Sequence, residues 1–221
     1  MTDTTQPQAR PTLRQSTGPA YTRILAYGAA RGEIAVPNED LVAAIDSSDE
    51  WIRQRTGIIT RTRAVHETSA IDLAADAAAD AIATAGIDPA LIDLVIVATV
   101  SNPKQTPSVS AIVADRVGAN PAAAYDVNAA CAGYAYAIAQ ADALIRGGAA
   151  HYALVIGAEK LSDVVDPTDR SISFLLGDGA GAALIGPSDF PGISATVWGS
   201  DGSEADAAGM NAPPTQSRDG E

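Results

Sequence analysis

Three short apolar runs, separated by helical patterns, constrain the fold most strongly. Residues 94–100 read LVIVATV, a nearly continuous apolar run rich in β-branched side chains. Such a run is typical of a strand that is covered on both faces. Residues 122–127 and 152–157 form two similar, shorter runs. Strands that alternate with helices of about a dozen residues predict an α/β fold with right-handed crossovers and a largely parallel sheet packed between helices.

Capping residues mark where the predicted helices begin and end. Further apolar segments at residues 180–185 and 193–198 predict two strands joined by a short turn, which would add antiparallel members to the sheet. The predicted helices are residues 40–45, capped by Asn38; a helix capped by Ser47 or Ser48 and ended by Gly57; a helix from Thr68 or Ser69 to Thr84, closed by Gly86; a helix that starts at residues 107–108 and ends at Gly118; and residues 134–146, which stop at Gly147.

The single cysteine, Cys131, lies where the second apolar run meets an alanine-rich helix, in DVNAACAGY over residues 126–134. A thiol in the first turn of a helix faces unpaired backbone N–H groups and the positive end of the helix dipole, and both favour the thiolate. The small neighbours leave room for a substrate carbonyl to approach the sulfur. The pattern indicates an activated nucleophile. The alternative is a small structural cysteine buried in an alanine-rich core.

The charge balance limits the possible partners. A net charge of −13 argues against nucleic acid as a ligand. One cysteine excludes an internal disulfide framework and agrees with a reducing cytosol. Residues 51–66 contain no acid and predict a basic island that could hold a phosphorylated small molecule or an acidic partner; the alternative is a set of solvated arginines that balance nearby acids. The island consists of Arg53, Arg55, Arg61 and Arg63.

The first twenty residues differ in composition from the rest of the chain. They are rich in Thr, Gln and Pro and contain no apolar central region, so they do not predict a secretory signal. A transit peptide is the weaker alternative, because Pro7 and Pro11 interrupt any amphipathic helix. We therefore expect a disordered N-terminal tail over residues 1–20. No apolar stretch has the length needed to span a bilayer, so no membrane insertion is expected.

Four motifs occur together, and in their order and spacing they resemble β-ketoacyl-[acyl-carrier-protein] synthase III, a thiolase-like condensing enzyme of type II fatty-acid synthesis. The resemblance implies a thiolase-like layered α/β/α/β/α fold, of which this chain carries the first βαβ half over residues 21–200, with the start of a second half at 201–221. The motifs are SSDEWIRQRTGI at residues 47–58, the segment around Cys131, DPTDR at 166–170 and GDGAGAA at 177–183.

The resemblance implies that Cys131 attacks the thioester of an acyl-CoA, giving an acyl-enzyme and free CoA. Malonyl-acyl carrier protein would then lose carbon dioxide, and its carbanion would take the acyl group to give a β-ketoacyl-acyl carrier protein. The backbone N–H of Cys131 would supply one donor of an oxyanion hole. CoA thioester and phosphopantetheine-linked carrier protein are substrates here, so no separate cofactor and no metal site are expected. A cytoplasmic homodimer is implied by the family.

The same resemblance assigns substrate contacts to five residues. Trp51 would stack on the CoA adenine with Arg170 on the other side, while Arg55 would contact phosphates and Thr56 would hydrogen bond nearby. Thr106 would form the floor of the neighbouring subunit's acyl pocket, and its small side chain predicts tolerance of longer or branched acyl groups.

Each motif also has a purely structural interpretation. Trp51 alone could be a core residue on a helix face. The DPTDR segment could be a capped turn in which Asp169 pairs with Arg170. The GDGAGAA glycines are interpreted as positions of close backbone packing near the active site, since the lysine and the strand–helix setting of a phosphate-binding loop are missing.

The chain departs from the family in one respect. The family completes its site with a histidine and an asparagine from the second half, whereas the two histidines here, His66 and His151, lie outside any matching motif. We therefore expect weak or no condensation from these residues alone, and an apolar surface that the second half would cover. Two alternatives stay open: a related condensing enzyme, such as a polyketide-starter ketosynthase or a hydroxymethylglutaryl-CoA synthase, and an inactive half-protein that only pairs with a partner subunit.

Overall fold

The computed structural model describes residues 17–204. The expected tail at residues 1–20 and the expected start of a second half at 201–221 lie mostly outside these described residues. The strands are β1 (Tyr21–Arg31), β2 (Ile34–Pro37), β3 (Thr60–Arg63), β4 (Leu94–Ala98), β5 (Ala123–Val127), β6 (Ala153–Lys160) and β7 (Asp178–Ser188). The α-helices are α1 (Glu39–Val42), α2 (Asp49–Thr56), α3 (Ala70–Ala85), α4 (Val109–Arg116) and α5 (Gly133–Arg146).

Five strands form one mixed sheet in the order β1-β7-β6-β4-β5, and β2 pairs with β3 in a small second sheet. Strand β4 lies parallel to both β5 and β6, whereas β7 runs antiparallel to β6 and to β1. The predicted crossovers and the antiparallel strand near residues 180–185 are confirmed. The sheet is less parallel than predicted, because β1 joins it from the N-terminal end of the described chain.

The predicted strand at residues 193–198 is wrong. This segment has no strand structure, and its one backbone link to the sheet is the N–H of Ile193, which donates to the carbonyl of Thr22 at 3.0 Å. The reason lies in the topology: β1 pairs with β7 from Tyr21 opposite Ser188 to Arg31 opposite Gly179, so the edge that a returning strand would need is already occupied.

Both faces of the sheet are covered by helices around β4. Every residue of β4 is buried, which confirms the prediction drawn from its apolar run. Val95 and Val97 lie in the cluster with α3 and α4, and Leu94 and Ile96 lie in the cluster with α5. The described residues thus form three layers, helix, sheet and helix, as expected for one half of a layered thiolase-like body.

A smaller cluster lies beside the sheet and carries α2. It contains Val36 from β2, Ile52 from α2 and Phe174 from the loop before β7, with Leu41 and Ile45. Because Ile52 is fully buried, it anchors α2 to this cluster.

Helix ends mostly follow the predicted caps. The Ser48 hydroxyl accepts a hydrogen bond from the N–H of Trp51, and Ser69 forms a capping box with Asp72. Gly57 and Gly86 end α2 and α3. Asn38 occupies the predicted N-cap position of α1, but the expected side-chain cap is wrong, because its side chain makes no capping hydrogen bond and is buried in other contacts.

Part of the sheet face on the α5 side is open. Tyr27 on β1 is 63% exposed, and a Cβ built on Gly181 would meet no atom within 4 Å. Together with Tyr134 and Gly157 they line a shallow groove of about 280 Å³. An apolar surface of this kind is what we expect if another part of the fold covers this face. Within residues 17–204, no helix has the length and apolar character needed to cross a membrane.

Candidate active site

Cys131 lies in a short turn between the end of β5 and the start of α5. The turn is a 3-10 helix, Ala130–Ala132, and the thiol-bearing residue is exposed. The structural alternative, a cysteine buried in an alanine-rich core, is therefore wrong. The predicted position in the first turn of the helix is also corrected, because α5 begins two residues later, at Gly133. An exposed thiol at this place is accessible to a substrate.

Two small residues shape this turn. Ala130 has a φ of +43°, a left-handed conformation that costs a non-glycine residue about 1–2 kcal/mol. A Cβ on Gly133 would lie 3.0 Å from the Cβ of Ala98 at the end of β4, so the missing side chain lets α5 begin directly against the sheet. The left-handed residue thus lies immediately before Cys131, which is exposed at the surface.

The N-terminus of α5 has no side-chain cap. Ala132 precedes the helix and makes no side-chain capping bond, whereas the N–H of Gly133, the first residue of the helix, donates to the carbonyl of Ala130. The first N–H groups of a helix have no partners within the helix, and together with the dipole they favour negative charge nearby. Cys131 therefore lies next to backbone donors that can stabilise an anion, either a thiolate or the oxyanion of a thioester adduct.

Two carboxylates that sequence reasoning did not assign hold the loop between β4 and α4. Asp126, at the end of β5, accepts from the N–H groups of Val109 and Ser110 at 2.7 and 2.9 Å. Glu159, on β6, accepts from the N–H of Val100 at 2.9 Å and of Ser101 at 3.0 Å. These contacts fix both ends of the loop between β4 and α4. The signal available in the sequence was position, since each acid lies at or near the carboxyl end of a strand, Glu159 in the mostly buried β6 and Asp126 in β5, which is only partly buried, contrary to the buried strand predicted there.

Thr106 lies in that loop and is exposed. Its predicted role concerns a neighbouring subunit, so it stays a prediction that rests on the resemblance.

Trp51, Arg55 and Arg170 come together although Arg170 is far away in sequence. The guanidinium carbon of Arg55 lies 4.6 Å from the centroid of the Trp51 ring, and that of Arg170 lies 5.5 Å from it. Phe174, which sequence reasoning missed, meets Trp51 edge to face at 5.3 Å between centroids. An indole flanked by two cations is suited to stack on a planar base and to attract phosphates. The alternative of Trp51 as a buried core residue fits less well, because the ring is only partly buried.

The DPTDR segment is a capped turn, but its pairing differs from the interpretation drawn from sequence. The Asp169 carboxylate accepts from the hydroxyl and the N–H of Ser171, which lower its pKa, and it does not pair with Arg170. Arg170 instead forms an ion pair with Asp46 at 3.6 Å. Both partners are largely exposed, so this pair contributes little to stability and leaves Arg170 free to move.

Thr56 lies on the same helix as Trp51, and its hydroxyl is engaged locally. It donates to the carbonyl of Ile52 at 2.8 Å and accepts from the N–H of Ile58 at 3.0 Å. These contacts close the C-terminal end of α2. A direct contact of Thr56 with substrate stays a prediction.

The four arginines of the predicted basic island do not form one exposed surface. Arg61 is only 6% exposed, and burial together with the positive charge of Arg63 lowers its pKa. Arg53 pairs with Asp49 at 2.8 Å, and Arg55 stacks on Trp51. The predicted island is therefore divided: Arg61 points from β3 into the interior, Arg53 is held in an ion pair, and Arg55 lies on the Trp51 ring.

The GDGAGAA segment packs closely, as interpreted. A Cβ on Gly177 would lie 2.7 Å from the carbonyl oxygen of Thr62. The buried Asp178 accepts from the N–H groups of Ala64 and Ser162, each at 2.9 Å, and so ties β7 to the ends of β3 and β6. A cleft of about 260 Å³ lies beside this junction, lined by Arg63, Leu161, Ser162, Val165, Pro167, Ser173 and Leu176.

His66 and His151 are both exposed, in line with their interpretation as surface residues. Among residues 17–204, no group of three or more His, Cys, Asp or Glu side chains lies close enough together to hold a metal ion.

Comparison with known proteins gives a consistent result. The family model of 3-oxoacyl-[acyl-carrier-protein] synthase III matches residues 125–202, which include Cys131. The β-ketoacyl-[acyl-carrier-protein] synthase III of Kocuria rhizophila is 55% identical over 94% of this chain and 58% of its own length. The corresponding protein of Streptomyces glaucescens is 47% identical over 94% of this chain and 62% of its own length.

Solved structures agree with the sequence matches. A priming β-ketosynthase from a polyketide biosynthetic pathway superposes with a TM-score of 0.85 at 42% identity, over 88% of this chain and 58% of that one. The synthase III of Thermus thermophilus gives a TM-score of 0.80 at 41% identity, over 83% of this chain and 57% of that one.

The fold and the exposed cysteine between β5 and α5 match part of the thiolase-like condensing enzymes among the solved structures. Within that class, the chain is similar over most of its length to β-ketoacyl-[acyl-carrier-protein] synthase III enzymes. It spans somewhat more than half the length of the relatives that it matches.

Proposed function

We propose that this protein is an acyltransferase that begins type II fatty-acid synthesis. It transfers an acyl group from acyl-CoA to Cys131 and then condenses it with malonyl-acyl carrier protein, with loss of carbon dioxide, to give a β-ketoacyl-acyl carrier protein. The observation that carries the proposal is the exposed Cys131 beside the uncapped N-terminus of α5. The high identity to synthase III enzymes supports it.

In the acylation step, the Cys131 thiolate attacks the carbonyl carbon of the acyl-CoA thioester. The new C–S bond forms as the carbonyl π electrons move to oxygen, and backbone N–H groups at the α5 terminus stabilise this oxyanion. When the oxyanion collapses, the C–S bond to CoA breaks and CoA leaves as a thiolate that takes a proton from solvent. The acyl group is then held as a thioester of Cys131.

The Trp51 cluster is suited to hold the nucleotide end of the substrate. The indole offers a stacking surface for adenine, and Arg55 and Arg170 supply positive charge for phosphates. Of the two guanidiniums, that of Arg170 lies farther from the Trp51 centroid, at 5.5 Å against 4.6 Å for Arg55. Its ion pair with the exposed Asp46 is weak, so Arg170 is suited to move when adenine stacks on the indole.

The condensation step needs groups beyond those in the described residues. In the family, a histidine and an asparagine from the second half stabilise the enolate, and the described histidines are exposed and outside matching motifs. We therefore assign acylation to the residues described here, and decarboxylative condensation to the complete enzyme. The complete enzyme would act as a cytoplasmic homodimer in which Thr106 of one subunit borders the acyl pocket of the other and permits longer or branched primers.

Intact-mass spectrometry after incubation with acetyl-CoA and with a longer acyl-CoA tests the proposal. We expect an adduct of the acyl mass on the wild type and none on Cys131→Ser. The ratio of the two adducts reports primer preference, and strong selection of acetyl-CoA would refute the role of Thr106. A folded protein that gives no adduct with any acyl-CoA would refute the acyltransferase assignment.

A second candidate function is the priming of polyketide synthesis. It is favoured by the TM-score of 0.85 to a priming β-ketosynthase from a polyketide pathway. Both functions use the same acylation chemistry and differ in the carrier protein. Turnover of the acyl-enzyme with malonyl-carrier proteins of the two kinds distinguishes them.

A further inference from the structure

The helix that carries Trp51 and Arg55 is short and has little support of its own. Helix α2 spans eight residues, Asp49–Thr56, and only Ile52 is buried in the core. A helix of this length is not stable by itself in water. The positions of Trp51 and Arg55 therefore depend on contacts between α2 and the rest of the fold.

One buried side chain holds both ends of α2. Asn38 is 0% exposed, and both N–H bonds of its amide point to this helix. The amide nitrogen donates to the carboxylate of Asp49, the first residue of α2, at 2.7 Å. It also donates to the carbonyl of Ile58, two residues beyond the end of α2, at 2.8 Å. Asn38 thus bridges the beginning and the end of the helix.

Arg61 fixes the orientation of that amide. Its guanidinium donates to the amide oxygen of Asn38 at 2.5 Å and to the carbonyl of Val36 at 3.0 Å, and the residue is 6% exposed. A guanidinium only donates hydrogen bonds, so the Asn38 oxygen must face Arg61 and the Asn38 nitrogen must face α2. The result is a chain of hydrogen bonds that runs from β3 to the start of α2, from the buried guanidinium of Arg61 through the buried amide of Asn38 to the partly exposed carboxylate of Asp49.

Burying Arg61 and Asn38 together costs desolvation free energy that an apolar pair at these positions would not cost. A buried guanidinium whose partners are a carbonyl and an amide is expensive to desolvate. Its Nε has no hydrogen-bond partner within the described residues. An apolar pair at these positions would pack the small cluster with less penalty, so the polar network points to a demand for orientation.

We propose that Asn38 and Arg61 are positioning residues that set α2, and with it Trp51 and Arg55, for the nucleotide of CoA. The inference rests on the proposed function, because it assumes that Trp51 and Arg55 bind that nucleotide. Neither residue contacts the reacting thiol. Their effect is therefore confined to substrates that carry the nucleotide.

The test uses Asn38→Asp in the full chain. This change keeps an oxygen for Arg61 but replaces both N–H donors with an acceptor that faces the Asp49 carboxylate. Acylation rates of Cys131 are measured by intact mass with acetyl-CoA and with acetyl-pantetheine, which lacks the nucleotide. We expect kcat/KM for acetyl-CoA to fall about tenfold or more, mainly through KM, as is typical when a binding group is misplaced. The rate with acetyl-pantetheine stays unchanged.

The matched control is Asn120→Asp. Asn120 also donates its amide to an aspartate, Asp115, at 2.9 Å, but it is exposed and lies far in sequence from α2. Asn120→Asp should change the acylation rate with neither substrate.

Arg61→Lys is a milder second variant, because a single ammonium cannot replace the two hydrogen bonds that the guanidinium donates. If Asn38→Asp shows no cooperative unfolding and is therefore not folded, the rates of Arg61→Lys with the two substrates test the positioning role instead.

The outcomes separate the two proposals. Equal losses with both substrates, or no loss with either in a folded variant, would overturn the positioning role while leaving the acyltransferase function intact. A wild type that is acylated by neither substrate would refute the proposed function and this inference together.

Discussion

Asp72 joins three parts of the structure, and its removal gives the sharpest stability prediction. Its carboxylate accepts from the N–H of Ser69 at 2.7 Å and from Arg116 on α4 at 2.6 Å. Burial raises the pKa of Asp72, but the Ser69 hydroxyl and N–H and the Arg116 charge outweigh it and lower the pKa from 3.8 to about 2. The ionised form is thus favoured by folding.

The magnitude follows from this shift. A difference of about 1.8 pKa units corresponds to roughly 2.4 kcal/mol of differential stabilisation. The Asp72 side chain is 38% exposed, so solvent screening reduces this figure. We expect Asp72→Asn to lower the free energy of unfolding by about 1 kcal/mol at pH 7, in the range of a lost helix cap. For a domain of this size that corresponds to a Tm decrease of about 2–4 °C.

The pH dependence has a defined sign. Because the pKa is lower in the folded state, the stabilisation is fully present above the unfolded value near 3.8 and is lost as pH falls towards the folded value of about 2. In urea unfolding, the free energies of unfolding of the wild type and Asp72→Asn should therefore differ at pH 7. This difference should shrink as the pH falls from about 4 towards 2. Asp76→Asn, an exposed change one turn later in α3, is the control. A difference that stays constant from pH 7 to pH 3 would refute the linkage argument.

Three further changes test other features. Gly133→Val should lower the free energy of unfolding, measured in urea, by about 1–3 kcal/mol and should slow acylation, because the new side chain meets Ala98 at 3.0 Å. The control, Gly181→Val on the open face of the sheet, should change the free energy of unfolding little. Leu154→Ala should cost about 2–5 kcal/mol, since this side chain is fully buried between the sheet and α3; a smaller loss would mean that the core relaxes around the cavity. Trp51→Ala should weaken CoA binding about tenfold in calorimetry, with acylation by acetyl-pantetheine unchanged.

The sequence by itself determined the elements whose residues carry their own signal. Strand β4 is apolar throughout because both of its faces are covered, and the pattern shows this directly. The ends of α2 and α3 follow from the local chemistry of Ser48 and Ser69, which acts within a few residues. The position of Cys131 between a strand and a helix was likewise readable, because both elements have clear periodicity.

The tertiary structure alone decided features that depend on distant partners. Strand β1 was not predicted from its sequence and forms by pairing along its length with β7, and this pairing also excludes the strand predicted at residues 193–198. Asn38 looked like a helix cap, yet it became a buried clamp because Arg61 competes successfully for its amide oxygen. The sequence therefore specifies local conformation and the nucleophile. Only packing specifies which polar groups are buried together, because the free energy of a buried polar group depends on partners far away along the chain.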